Sequence, residues 1–225
     1  MMSLNQITSA IMNNIVQGLK GVTNISIPQG QVEHEVILAV NSYIKEVSPF
    51  ELQHYYQKIK CLKLECKDIS DCCDIKSGQT VLWTEIPKLT ILNNGKPIRF
   101  AGSIDYKRPF HVYYDIQDAN KHKYNLVTKT EPYIWVDLSL NSNGRHSVWL
   151  FNVKLIKHIT LEAIVANPLD ISEYSCCVLN EETPFPAPEA VIDAIIKKIS
   201  IDYINYYKRA QPNQIVVPNN NTYTS

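Results

Sequence analysis

Up to about residue 59, apolar side chains recur at steps of three and four; from residue 60 they recur at steps of two. The first period belongs to helices that bury one stripe, and the second to strands that bury one face. Leu4, Ile7, Ile11, Ile15 and Leu19 predict an amphipathic helix over 4–19, with Ser3 as N-cap. Gly18 and Gly21 close it, and Pro28 and Gly30 break the following loop. Val32, Val36, Val40, Tyr43, Ile44 and Val47 form the stripe of a second helix, about 31–47. Ser48-Pro49-Phe50-Glu51 reads as a capping box with proline at the first helical position, which predicts a short third helix over 49–58.

From Lys60 onward, Leu62, Leu64 and Cys66 alternate with Lys63, Glu65 and Lys67, as in a half-buried strand. Similar runs occupy 80–92, 97–104, 110–116, 122–128, 132–138, 146–153 and 155–165. Asn94-Gly95 and Asn143-Gly144 lie between such runs and fit type I′ turns, where both central residues take positive φ. The middle of the chain is therefore expected to be a mostly antiparallel β-domain, a sandwich or a barrel. Thr183-Pro184-Phe185-Pro186-Ala187-Pro188 ends it, because proline cannot donate to a ladder but suits the first turn of a helix.

A long helix then runs to about Arg209, with Ile192, Ile195, Ile196, Ile199, Tyr203 and Tyr206 as its buried stripe. Ile201 and Ile204 fall outside that stripe, and a helix apolar on more than one side needs a second partner. Both are expected to touch a neighbouring subunit or another protein of the same assembly. The last segment, 211–225, is polar and broken by prolines, yet holds the β-branched triplet Ile215-Val216-Val217. An extended tail that lays this triplet on a partner is the expectation.

The fold class is thus α+β. The helices of 1–59 and 183–210 form one helical layer, 60–182 form the β-domain, and 211–225 form the tail. No internal repeat is present.

Composition narrows the function. Lys+Arg and Asp+Glu both number 22, so the net charge is zero, which argues against a general nucleic-acid binder. Tyrosine supplies 13 aromatics against five Phe and three Trp, a bias suited to half-buried contact surfaces. The N-terminus has neither a basic region nor an apolar run, so no signal peptide is read. No stretch reaches the roughly 18 apolar residues of a membrane span. The six cysteines are then expected to be reduced thiols, and the sequons at Asn24 and Asn220 to carry nothing.

The candidate chemistry is thin. Cys61, Cys66, Cys72 and Cys73, with His54 upstream, lack the paired C-x₂₋₄-C spacing of a zinc knuckle and read as small buried apolar residues. Asp68, Asp71 and Asp74 miss the spacing of a calcium loop. The seven glycines make no phosphate loop, and Gly18-Leu19-Lys20-Gly21, though it matches a nucleic-acid-clamping G-x-x-G, stands where a helix ends. There is no Gly-x-Ser-x-Gly elbow and no H-E-x-x-H, and His111, His146 and His158 lie on predicted strands as surface or satisfied polar residues. No catalytic residue, cofactor or metal ligand is assigned. Arg99, Lys107 and Arg108 interleave with Phe100, Tyr106, Phe110, Tyr113 and Tyr114, which leaves a nucleic-acid-binding β-domain as the alternative function.

The order of elements, carried locally by Val40–Glu51 and by Pro184-Phe185-Pro186-Ala187-Pro188-Glu189-Ala190-Val191-Ile192, resembles the head-to-tail connector proteins of short-tailed phages. These are the adaptor, ring and gatekeeper proteins below the portal. The wealth of Ile, Asn, Lys and Tyr is most similar to ring proteins of crAss-like phages. The resemblance implies a virion structural protein, made in the host cytoplasm, that forms a ring of twelve copies around the DNA channel. It implies portal, adaptor or tail proteins as neighbours, DNA passing through without sequence-specific binding, no membrane, no cofactor and no catalysis.

Overall fold

The computed structural model describes residues 2–20, 26–68, 80–93, 95–125, 127–128, 130–153, 156–174 and 185–210. It is an α+β chain in two compact units, Met1–Val40 with Glu181–Ser225, and Asn41–Asn180.

In the first unit, helix α1 (Leu4–Gly18) buries Leu4, Ile7, Ile11 and Ile15. Ser3 caps it as predicted, and more completely: its hydroxyl accepts from the Gln6 amide at 3.3 Å while its own amide donates to Gln6 Oε1 at 2.9 Å. That is a capping box in the sequence Ser-x-x-Gln. The stripe packs against the C-terminal helix α4 (Glu189–Ala210), and a Cβ on Gly18 would collide with the Ile204 side chain. The glycine in the last turn of α1 therefore permits a close approach of two helices. Helix α2 (Gln29–Glu46) starts on Pro28, whose carbonyl accepts from Gln31 N at 3.0 Å, so Gly30 lies inside the helix and does not break the loop. Pro188 does the same for α4, accepting from Val191 N at 3.0 Å and Ile192 N at 3.1 Å. Just before it, Phe185 is buried and donates its amide to Met2 O at 2.8 Å. Two stripe assignments need correction. Tyr43 on α2 is 45% exposed and Tyr206 on α4 is 66% exposed, because a phenol at the rim of a stripe keeps its hydroxyl in water.

The second unit is a sandwich of two sheets. One has the order β1-β8-β4, built from β1 (Gln57–Lys63), β4 (Ile98–Gly102) and β8 (His158–Ala163). The other has the order β2-β3-β7-β6-β5, built from β2 (Glu65–Asp68), β3 (Thr80–Ile86), β5 (His111–Tyr113), β6 (Tyr133–Asp137) and β7 (His146–Phe151). All described pairings are antiparallel except β5 with β6. The sheets have open edges, so the sandwich, not the barrel, is realised. Between them lies a core that includes Ile59, Ile86, Ile98, Ile134, Val148, Leu150, Ile159 and Leu161.

Four local expectations fail for identifiable reasons. Ser48 does not build the advertised helix: its hydroxyl reaches the Glu51 carboxylate at 3.2 Å instead of a backbone amide, and only one 3₁₀ turn forms, Glu51–His54. The single strand expected from Lys60 to Lys67 is two strands in different sheets. Leu64 is the corner, and a bulge before it sets Cys61 at φ 57°. The last residue of the expected strand 110–116 and the first three of 122–128 are instead in helix α3 (Ile116–Tyr124), started by Asp115, which accepts from Gln117 N at 2.7 Å. Asn143-Gly144 is no type I′ turn, since Gly144 has φ 72° but Asn143 is not left-handed. Asn141 closes that loop instead, its side chain accepting from Asn143 N at 3.0 Å and Arg145 N at 2.9 Å. Asn94 lies outside the described residues, and the strands flanking it belong to different sheets.

Candidate interaction surface

The helical unit holds a cleft of about 390 Å³ lined by Ser26, Ile27, Gln31 and Glu35 on one side and Asp202, Tyr203, Tyr206 and Tyr207 of α4 on the other. The helical repeat places residues 202, 203, 206 and 207 along one side of α4. Tyr203 is buried and donates its hydroxyl to Glu35 Oε1 at 2.8 Å, and Gln31 Nε2 donates to the same oxygen at 3.3 Å. Burial, and then the bond to Glu35, push the Tyr203 hydroxyl far above its usual range. Tyr207 donates to Ser26 O at 3.3 Å, and the Tyr206 ring stands edge-on to Tyr207 at 5.5 Å. Asp202 has no hydrogen-bond or ion-pair partner among the described residues. The walls therefore offer two carboxylates and aromatic rings, a chemistry that suits a cationic side chain.

The helical unit exposes apolar surface: Val16 at 58%, Leu38 at 52% and Ile201 at 44%. Of the residues singled out by sequence for partner binding, Ile201 lies here, next to Asp202. Ile204 is half-buried, facing Gly18 within the same unit, and Ile215, Val216 and Val217 lie outside the described residues. Glu35 and Tyr207 were not legible as site residues. Glu35 and Tyr203 are separated by 168 positions, and no local pattern marks them.

The basic and aromatic stretch from Arg99 to Tyr114 is dispersed by the fold. Phe110 is buried in the sandwich core. The Tyr114 hydroxyl accepts from Ile98 N at 2.9 Å, and Tyr113 sits on the other sheet. Arg99 is the extra residue of a bulge in β4, which turns it onto the outer sheet face. There it donates to Glu162 at 2.6 and 3.0 Å and covers the Tyr56 ring at 4.7 Å. Lys58 approaches the same carboxylate at 3.6 Å and lies 5.4 Å above the Tyr106 ring, whose other neighbour is the stacked Phe100 ring at 4.9 Å. These ring faces are already occupied by the protein's own cations and rings, so they do not form an open platform for bases.

The outer face of the five-stranded sheet is a second aromatic layer. Trp83, Trp149 and Trp135 stand in register on β3, β7 and β6, with ring centroids 6.2 and 6.3 Å apart. In the adjacent row Phe151 stacks on Tyr133 at 4.8 Å. Buried His122 of α3 seals its end, accepting at Nδ1 from the Tyr113 hydroxyl at 2.9 Å if its Nε2 donates to Glu131 O at 3.3 Å. His111 is exposed and meets the Glu131 carboxylate at 2.8 Å. His146, by contrast, is buried, has no hydrogen-bond partner that meets strict geometry, and is held below the usual imidazole range by that burial.

Cys61 is half-buried and Cys66 exposed, so the reading of these cysteines as buried apolar residues is corrected: one lies on the bulge and the other on an edge strand. Cys72, Cys73, Cys176, Cys177, Asp71 and Asp74 lie outside the described residues. Among the described residues no group of three metal-ligating side chains occurs, and no helix is long and apolar enough to cross a membrane. No protein-family model and no curated protein sequence matches the chain.

Proposed function

We propose that this chain is a non-catalytic structural subunit that assembles with copies of itself into a closed ring, as its resemblance to phage head-to-tail connector proteins implies. One observation carries the reading. The helical unit leaves Val16, Leu38, Ile201 and Tyr206 exposed, and every ion pair among the described residues lies in the sandwich. A layer of helices with apolar side chains and uncompensated carboxylates on its outside is suited to a permanent partner. On this reading the ring belongs to the virion, contacts portal, adaptor or tail proteins, and passes DNA through its channel without gripping it. The balanced charge supports the last point, since affinity for phosphates needs a cationic excess.

Negative-stain microscopy of the purified protein tests the reading. Closed rings of uniform diameter are the expected image. Single particles of monomer size at every concentration would refute it.

A further inference from the structure

The cleft of the helical unit has a definite chemical demand. Among the described residues Asp202 is exposed and has no partner, and Glu35 receives two hydrogen bonds, both on one oxygen. Among the described residues no cationic side chain lines this cleft; Arg209 lines the adjoining hollow along α4, which shares Asp202 and Tyr206 with it. An incoming ammonium or guanidinium would meet carboxylate oxygens at the walls and the rings of Tyr206 and Tyr207, and a cation over an aromatic face is attracted by its quadrupole. Exposed Ile201 beside Asp202 gives the contact an apolar margin.

The same chain carries a matching surface. Strand β1 is an edge of the three-stranded sheet and shows Lys58 and Lys60 to solvent. Lys58 shares Glu162 with Arg99, so one carboxylate stands against two cations, and Lys60 has no ion pair among the described residues. This face is net positive where the cleft is net negative. With 22 acidic and 22 basic residues, like copies approach without net repulsion and are oriented by their patches. Two different patches meeting head to tail make a heterologous contact, the kind that closes into a ring when the rotation allows.

We infer that the Glu35–Asp202–Tyr206 cleft of one copy receives the Lys60 face of a second copy. The inference rests on the ring reading above and supplies its contact. β1 lysines also keep an edge strand from pairing with another sheet, a role compatible with this one.

Reciprocal charge reversal tests it. Asp202→Lys and Lys60→Glu both alter exposed side chains, so each variant is expected to fold, as far-ultraviolet circular dichroism would check. Sedimentation velocity should show each alone needing ~10-fold or more higher concentration to assemble, because like charges then face each other. An equimolar mixture should assemble as the wild type does, since both contacts of an alternating ring are again complementary. Wild-type assembly by Asp202→Lys alone, or failure of the mixture to recover, would overturn the inference and leave the ring reading standing. A wild-type protein that never assembles would instead remove the ring reading itself.

Discussion

In the sandwich, Glu162 lies between Arg99 and Lys58, Arg145 joins Glu85 and Glu173, and His111 meets Glu131. Among the described residues of the helical unit, Glu35 bonds only to neutral groups and Asp202 to no side chain. The sandwich encloses its aliphatic residues between two sheets and layers its tryptophans on one outer face, with Trp149 only 6% exposed. The helices enclose one stripe and leave Val16, Leu38, Ile201 and Tyr206 exposed. The division is one of charge: the sandwich pairs carboxylates with cations, whereas Glu35 and Asp202 meet no cation among the described residues, and exposed apolar side chains occur in both units, Phe50 and Ile91 among those of the second. The location of unmet requirements is therefore a guide to function that a search for catalytic residues does not provide.

The contrast can be broken in a graded series. The largest effect belongs to the helical core. Ile11 is completely buried, and Ile11→Ala should lower the unfolding free energy by about 2–5 kcal/mol. Urea unfolding measures this; a loss below 1 kcal/mol would mean that the α1–α4 packing is not a true core. Next, Gly18→Val should cost about 1–3 kcal/mol by forcing Ile204 aside. Retained stability there would show that the two helices are farther apart than described.

Glu162→Gln keeps the shape of its side chain but removes the charge that Arg99 and Lys58 share. Since both partners are about half exposed, at 46% and 56%, the expected loss is about 1 kcal/mol. It should shrink further in high salt, and a salt-independent loss would count against the ionic assignment.

His146 sharpens the contrast by pH. Its folded pKa lies below that of the unfolded chain, near 6.5, so the native state binds fewer protons than the unfolded state as pH falls. Its neutral burial is therefore without penalty above about pH 6.5, and stability declines as pH drops through the lowered folded value. His146→Gln should flatten the stability profile between about pH 7 and 5. An unchanged slope would place the acid sensitivity elsewhere.

The smallest effect on stability should come from Ile201→Glu, within about 0.5 kcal/mol, because the residue is exposed, at 44%, and lies outside the buried stripe. Assembly should nevertheless be lost. Ile204 is a poor companion for this test, since it packs beneath Gly18 and its replacement would perturb the fold as well.

The sequence disclosed much of this fold because the main helices have long stripes. Ile7, Ile11 and Ile15, and Ile192, Ile195, Ile196 and Ile199, announce a helix and its buried face at once. Strands β3, β4, β6, β7 and β8 were visible for the same reason. Helix α3 was not: among its described side chains only Ala119 and His122 are buried, too few to establish a period. The corner at Leu64 was hidden because alternation continues through it while the chain changes sheets. The tyrosine and carboxylate cleft was hidden more deeply. Ser26 and Tyr207 are 181 positions apart, and residues brought together over such a distance leave no local mark.

The central claim is that the helical unit's exposed face exists for other copies of the chain. Light scattering coupled to size exclusion, run on wild type and Ile201→Glu over the same concentration range, addresses it directly. Wild type is expected to give one discrete mass, a whole multiple of the subunit that does not grow further with concentration, and the variant a monomer. A wild-type monomer throughout, or a variant of the same multiple mass, would contradict it.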